Sequence, residues 1–244
     1  MSKSVSVCIP SRGPSIGLWA TIVSALEEWP QAEVIVCVNG RDEDEPLYLL
    51  KKHLRVTIIH SQEALHPATA RDIAGSHATG DVLMFLDDHV IVPRSVSLPS
   101  EGIAHYAYHT YPGHPDTYYH FVPGDELPTK GDYAKQPEVY SLFYPCLSGS
   151  HAMFAVTRAA WGELGGYGGQ WQGFGGEEAY LGLKARLHGI PVTMYPQCVF
   201  WHFSARSSQR GYLREIDEDN YRYGVELLRA EEARLRNIGQ ISDV

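Results

Sequence analysis

Asp87, Asp88 and His89 follow directly on the apolar run Val82 to Leu86, and those residue types at the end of a strand-like segment point first to a divalent cation. Two carboxylates and an imidazole so close together repel one another and resist desolvation, and a cation offsets both by accepting oxygen and nitrogen ligands. In an extended segment residues i and i+2 share a face, so Asp87 and His89 are expected to reach one ion while Asp88 points away. The alternative for the same three residues is a solvated acidic turn capped by its own side chains. A second carboxylate pair, Glu177 and Glu178, follows Gly173-Phe174-Gly175-Gly176 and opens a helical segment. The helix dipole accounts for one carboxylate in a first turn, while glycines that let the backbone approach a ligand suggest more. Consecutive helical residues project about 100° apart, so one of the two is expected to face a ligand while the other packs or caps. His202 lies in the apolar run Val199 to Phe203, where it is either a hydrogen-bonded core residue or a ligand. Trp171 and Trp201 either stack on a sugar or pack in the core.

The elements that must position these groups are legible from hydrophobic pattern. Short β-rich runs at Val5 to Pro10, Val34 to Asn39, Val56 to His60 and Val82 to Leu86 alternate with helical segments at Ile16 to Glu28, Glu45 to His53 and Ala64 to Ala78. Strands alternating with helices predict a parallel sheet covered on both faces, with ligands gathered beyond the carboxyl ends of its strands. Those ends carry Pro10-Ser11-Arg12, Asn39-Gly40-Arg41-Asp42 and Asp87-Asp88-His89, three segments converging on one crevice. From about residue 93 to 150 Pro, Gly, His and Tyr break the pattern, and His105 to Tyr111 and Tyr118 to Val122 are expected as antiparallel strands. Then come a strand at Met153 to Val156, a glycine-rich loop from Gly165 to Gly176, a helix from Glu177 to His188 and a strand near Val192 to Tyr195. From Tyr212 the chain is charged and helical, with an apolar stripe expected on Tyr223, Leu227 and Ala230.

Composition narrows the classes. The 244 residues are 44% hydrophobic and 20% charged, which excludes disorder, collagen and a disulfide miniprotein. A net charge of −9 counts against a dedicated nucleic-acid binder, although a local basic patch such as Arg206, Arg210 and Arg214 can survive in an acidic whole. Met1 to Ser6 is short and polar, no window approaches the length of a membrane span, and the protein is expected to be cytoplasmic. Cys8, Cys37, Cys146 and Cys198 are scattered in apolar runs and are expected as buried thiols.

Ala70-Arg71-Asp72-Ile73-Ala74-Gly75 followed by Gly80-Asp81-Val82-Leu83-Met84-Phe85-Leu86-Asp87-Asp88-His89 resembles the nucleotide-sugar half of a GT-A glycosyltransferase. Phe154-Ala155, Glu163-Leu164-Gly165-Gly166-Tyr167, Phe174-Gly175-Gly176-Glu177-Glu178 and Trp201-His202 follow in that family's order. The chain is most similar to polypeptide N-acetylgalactosaminyltransferases and related family-2-like enzymes, whose acidic motif is Asp-x-His and whose metal site a later His completes. The resemblance implies a single α/β GT-A (Rossmann-like) domain over residues 1–244, a mixed, mostly parallel sheet flanked by helices. Within it the nucleotide-binding half would span about 1–92, the acceptor and catalytic half about 93–211, and a C-terminal helix about 212–238. It implies that Asp87, His89 and His202 hold Mn²⁺ or Mg²⁺ and that the donor is a nucleotide sugar, UDP-linked. The base and ribose are expected across Pro10, Ser11, Arg12 and Asn39, with Asp88 beside them, and Arg71 and Arg206 are candidates to share the charge of the departing phosphate. The alternatives are an ordinary helix-surface charge for Arg71 and a solvated loop residue for Arg206. By motif position Glu177 would bind donor sugar hydroxyls, and Glu178 stands where inverting relatives keep a base. The Asp-x-His motif and the Gly-Gly-Glu order favour retention, in which Glu178 only positions. The chain departs from the family pattern in having Phe174 before the glycines and Glu177-Glu178 after them, and in ending its first strand with Pro10-Ser11-Arg12.

The activity expected is hexosyl or N-acetylhexosaminyl transfer to a hydroxyl. Acceptor candidates are a hydroxymethylated base of phage DNA, a protein Ser or Thr, and a small molecule, with the ring-rich segment 105–121 as a candidate surface for them. Two rivals come from other classes. A sugar nucleotidyltransferase shares the alternating start but wants a Gly-rich basic loop after the first strand, of which Pro10-Ser11-Arg12-Gly13 is a poor version, and a non-catalytic sugar-binding module has no need of five polar site residues.

Overall fold

The structure, a computed structural model, describes residues 3–13, 15–40, 56–63, 65–111, 119–121, 134–135, 144–146, 148–172, 175–203 and 218–240. Its first half is built as the apolar runs predict. Strands β1 (Val5–Ser11), β2 (Glu33–Asn39), β3 (Val56–Ser61) and β4 (Val82–Leu86) lie parallel in the order β3-β2-β1-β4. Helix α1 (Ile16–Glu28) starts on a Ser15 cap that accepts from Leu18 N, and α2 (Pro67–Ser76) starts with Pro67 after a His66 cap. The helix expected over 45–53 lies outside the described residues.

Period-2 alternation splits each strand between two cores. Val7 and Ile9 of β1, Val34, Val36 and Val38 of β2 and Met84 of β4 pack with Leu18, Ile22 and Ala25 of α1. Cys8, Ile35, Cys37, Leu83 and Phe85 point the other way, onto Ala70 and Ala74 of α2. Burial on both faces is why these strands read as continuous apolar runs. The four cysteines are buried free thiols, and burial raises Cys37 to about 11 and Cys146 to about 12.

The second half adds to the expectation in three places. His105 to Tyr111, expected as an antiparallel strand, is one and also gains a parallel partner. As β6 (Ile103–Tyr111) it enters the main sheet between β11 (Met153–Thr157), to which it is antiparallel, and β12 (Val192–Phe203), to which it is parallel. β11 also pairs antiparallel with β4, joining the two halves, and β5 (Val90–Ile91) closes the far edge against β12. Short strands β7 (Tyr119–Phe121), β8 (Ala134–Lys135) and β10 (Ser148–Gly149) form a second sheet, while β9 (Tyr144–Pro145) pairs with β12. Next, α3 (Arg158–Leu164), capped by Thr157 and stopped by Gly165 at φ 66°, is too short to announce itself by periodicity. Finally, β12 does not end near Tyr195. Its pairing with β6 passes from Tyr195–Tyr106 to Val199–Ala107, so Pro196, Gln197 and Cys198 bulge and the strand continues to Phe203. That continuation carries His202.

Helix α4 (Glu177–Leu187) packs against α5 (Glu218–Asn237), and the stripe that α5 buries differs from the expected one. Tyr223, Leu227 and Leu228 pack toward the core and Leu235 is buried, while Ala230 faces solvent. No helix among the described residues is long and apolar enough to cross a membrane.

Candidate metal and donor site

The order β3-β2-β1-β4 reverses direction at β1, so the crevice above β1 and β4 is the point where such sheets take ligands. Asp87 leaves β4 there, its N–H donating to the Ala152 carbonyl at 2.9 Å. The next two residues are a turn rather than extended chain, and this turn, not strand alternation, brings His89 back beside Asp87. Helix α1 presses on it: a Cβ on Gly17 would stand 2.9 Å from the Asp88 carbonyl oxygen. The β12 continuation then delivers His202, whose Nε2 is 3.5 Å from Asp87 Oδ2, and the His89 and His202 rings lie 4.7 Å apart. Asp87, His89 and His202 each offer a ligand atom, all within 4.8 Å of one another. Ligand atoms bonded to one ion at about 2.1 Å stand about 3.0 Å (cis) to about 4.2 Å (trans) apart, so the three fit a small divalent cation once side-chain rotation closes the wider gaps. Burial alone would raise the Asp87 carboxyl, but the His202 hydrogen bond and the charges of Arg71, His89 and His202 outweigh it and hold Asp87 well below the usual carboxylate range. A carboxylate kept ionised beside two imidazoles is a donor set ready for a cation.

Asp88 stands outside that cluster, as expected, but it is engaged rather than free. One of its oxygens is 2.8 Å from His89 Nδ1 and the other accepts from Ser11 Oγ at 2.7 Å, so it bridges the ends of β1 and β4.

Arg71 is no surface charge. At 3% exposure on α2 it donates through Nη2 to Asp87 Oδ1 and to the His151 carbonyl, both at 3.1 Å, and Nη1 lies 3.5 Å from Glu177 Oε1. The enclosed guanidinium is thus balanced by carboxylates from two different elements.

Glu177 and Glu178 diverge as neighbours at a helix start should. Glu177 is buried between Arg71 and His66, with Oε2 3.8 Å from His66 Nε2. Glu178, partly exposed, accepts from the His151 N–H at 2.8 Å. Burial raises its carboxyl to about 7, opposed by that N–H and by Arg71 and reinforced by the negative charge of Asp87.

His151 was not singled out by sequence and Tyr167 only as the end of a motif, yet the two are buried together beneath Arg71 and Glu178. The Tyr167 hydroxyl lies 2.7 Å from His151 Nδ1, His105 stacks parallel to His151 at 5.6 Å, and burial keeps the His151 imidazole neutral. The segment Ser148-Gly149-Ser150-His151 carries no spacing that betrays this role. Asp72, adjacent to Arg71, accepts from Tyr167 N at 2.8 Å and Gly168 N at 2.9 Å and so clamps the glycine-rich loop. Gly165 and Gly166 both have φ 66°, but the space a Cβ would need is open at Gly165 and filled by the Asp72 carboxylate at Gly166. Gly165→Ala should therefore cost only the backbone term of about 1–2 kcal/mol, and Gly166→Ala clearly more, as measured by urea unfolding. Equal costs would show that Asp72 does not hold the loop.

Pro10, Ser11 and Asn39 sit together at the carboxyl edge, Ser11 pairing with Val38 in register, and Arg12 follows directly. Asn39 is 4% exposed and its Oδ1 has no hydrogen-bond partner. Arg206, Gly173, Phe174, Arg210 and Arg214 lie outside the described residues, as does most of the segment 105–121 beyond Tyr111.

Residues 6–100 match the model of "Glycosyl transferase family 2". No curated protein sequence matches the chain. Among solved structures, GalNAc-T7 with UDP, GalNAc and Mn²⁺ superposes with a TM-score of 0.72 at 17% identity over 95% of this chain and 50% of that one. TarS 1–349 of S. aureus in complex with UDP-GlcNAc gives 0.64 at 12% identity, covering 95% of this chain and 69% of that one. The mannosyltransferase PcManGT from Pyrobaculum calidifontis in complex with GDP-Man and Mn²⁺ gives 0.59 at 14% identity over 100% of this chain and 66% of that one. The chain thus spans half the length of GalNAc-T7. It has the GT-A glycosyltransferase fold.

Proposed function

We propose that this protein is a metal-dependent glycosyltransferase that moves a sugar from a nucleoside diphosphate, UDP in the first instance, to a hydroxyl acceptor. The observation that carries the reading is the convergence of Asp87, His89 and His202 at the switch point of a GT-A sheet. Mixed carboxylate and imidazole donors suit Mn²⁺ better than Mg²⁺, which prefers oxygen ligands. The ion, when bound, supplies Lewis-acid stabilisation of the negative charge that grows on the departing diphosphate. Structures of similar fold bind UDP with Mn²⁺, UDP-GlcNAc, and GDP-Man with Mn²⁺, which supports a nucleotide-sugar donor and leaves hexosyl and N-acetylhexosaminyl transfer both open to assay.

The chain's own residues divide the remaining tasks. Arg71 holds Asp87 and Glu177 in place and sets a fixed positive charge beside the proposed cation site. Glu177, with Oε2 lacking a hydrogen-bond partner, suits a donor sugar hydroxyl. Glu178 bears on stereochemistry. A carboxyl with a proton affinity near neutrality, fixed by one oxygen and set near the cation site, has the properties of a general base that takes the acceptor proton. That favours an inverting displacement over the retaining route that the Asp-x-His motif suggests. The acceptor is proposed as a hydroxyl of a small molecule, a protein Ser or Thr, or a modified DNA base.

The reading is tested by incubating the protein with UDP-, GDP- and other nucleotide sugars and Mn²⁺ and following release of the nucleoside diphosphate. Release from at least one donor, abolished by EDTA, is expected. Pyrophosphate chemistry would instead mark a nucleotidyltransferase, and saturable sugar binding without turnover a binding module.

Asn39 gives a separate check on donor placement. Its buried acceptor oxygen suits an N–H of a nucleobase, a contact that persists from ground state to transition state. Asn39→Ala should raise the donor KM by about 10-fold or more while leaving kcat within about 3-fold, since a lost hydrogen bond in a dry pocket is worth about 1–3 kcal/mol. An unchanged KM would move the base elsewhere.

A further inference from the structure

The turn after β4 holds an acid whose two oxygens are both engaged by protein, which is unusual for a residue expected at a ligand. Asp88 Oδ1 is 2.8 Å from His89 Nδ1, and Asp88 Oδ2 accepts from Ser11 Oγ at 2.7 Å. Ser11 is 3% exposed and is itself tied to the following turn, its oxygen accepting from Gly13 N at 3.2 Å. A carboxylate only accepts hydrogen bonds, so in the neutral imidazole Nδ1 must carry the proton and Nε2 must keep its lone pair. A metal-binding His whose other ring nitrogen donates to a carboxylate has its tautomer and ring orientation set by that partner, and its basicity raised.

We propose that Asp88 is a positioning residue for the cation site, and that the Ser11–Asp88–His89 chain presents His89 Nε2 to the ion in the correct tautomer before any ion arrives. This rests on the reading of Asp87, His89 and His202 as a cation site, and it changes the part expected of Asp88 from nucleotide contact to support of the ligand beside it. The chain also links the end of β1, where the nucleotide is placed, to the metal-binding turn, so that the donor and ion sites share a rigid strut. Gly17 of α1 fits the same picture, since its missing side chain is what lets the helix seat against the Asp88 carbonyl and the His89 Cβ, at 2.9 and 3.3 Å from a Cβ built there.

Two readouts on the metal-free full chain test it. Long-range imidazole ¹H–¹⁵N spectra at pH 8 should show His89 in the Nδ1-protonated tautomer, and Asp88→Ala should shift it toward the Nε2-protonated form that dominates in free histidine. Mn²⁺ titrations read by electron paramagnetic resonance should show a loss of about 10- to 100-fold in affinity for Asp88→Ala, the range for removing such an outer partner. Asp88→Asn should lose less, because the amide oxygen still accepts from Nδ1–H. If Asp88→Ala does not fold, Ser11→Ala, which releases the other end of the strut, should lower Mn²⁺ affinity in the same direction. An Nε2-protonated His89 in the native protein, or Mn²⁺ affinity unchanged in a folded Asp88→Ala while His202→Ala loses it, would overturn the proposal and leave the cation site standing. Mn²⁺ affinity unchanged in His202→Ala as well would overturn the cation site itself.

Discussion

His202→Ala is expected to abolish Mn²⁺-dependent turnover of the nucleotide sugar and to weaken Mn²⁺ binding by more than the roughly 10- to 100-fold typical of losing an outer-shell partner, because under the proposed function it removes one of the three side chains that would hold the ion. The ring is only partly buried, on the strand beyond the β12 bulge, and its side chain is 14% exposed, so truncation opens no closed cavity. The thermal unfolding midpoint of the metal-free protein should therefore stay close to that of the native chain. Asp87→Asn makes the complementary test. It keeps the shape but removes the charge that binds Arg71 Nη2 at 3.1 Å, and it should lose turnover to a similar degree with a larger loss of stability, since a buried guanidinium is deprived of one carboxylate. The native Asp87 contribution carries a sign that can be checked. Its folded pKa is depressed, so the stability it adds is fully present above the ordinary carboxylate pKa near 4 and is lost only as pH falls through the lower folded value. Metal-dependent turnover that survives in both variants would remove the cation from these residues.

Glu178→Gln is the second large effect expected. The amide keeps the acceptor for the His151 N–H, so the local hydrogen bond survives while the capacity to take a proton is lost. General base catalysis contributes about 10²–10⁴-fold, and kcat should fall within that range if Glu178 takes the acceptor proton. In the native protein kcat/KM should rise with pH through a limb governed by a carboxyl near 7 in the absence of metal, displaced toward acid when a cation offsets the charge of Asp87. That limb should vanish in Glu178→Gln. Stability runs the opposite way to activity. A carboxyl whose folded pKa is raised from about 4.5 to about 7 contributes stability that is complete below about 4.5 and is lost as pH rises through about 7. Glu178→Gln should consequently be no less stable than the native chain at pH 8. The anomeric configuration of the product, read by NMR, decides the route: a β-linked product from an α-linked donor agrees with Glu178 as base, and an α-linked product would reduce Glu178 to a positioning group.

Much of the first half was determined by sequence alone, because its information is local. Continuous apolar runs and the helical segments between them set β1 to β4, α1 and α2 to within a few residues, and a parallel sheet made the three polar strand ends neighbours. The order of motifs, with Asp87-x-His89 early and Trp201-His202 late, was enough to single out three residues that the fold brings within 4.8 Å of one another. What tertiary structure alone decided depends on contacts between segments far apart in the chain. No local pattern says that a strand interrupted by Pro196 resumes to place His202 beside Asp87, since that outcome is fixed by pairing with β6. Nor does the sequence near Arg71 show that the guanidinium is buried. The carboxylates that hold it come from β4 and α4, and burying that charge is tolerable only once both are in place. Glu177 and Glu178 are adjacent and chemically alike, yet one is enclosed with Arg71 and His66 while the other, bonded to His151, is pushed toward neutrality. The shift of Glu178 arises from desolvation and from the charges around its carboxyl, and both are properties of the folded environment rather than of the residue.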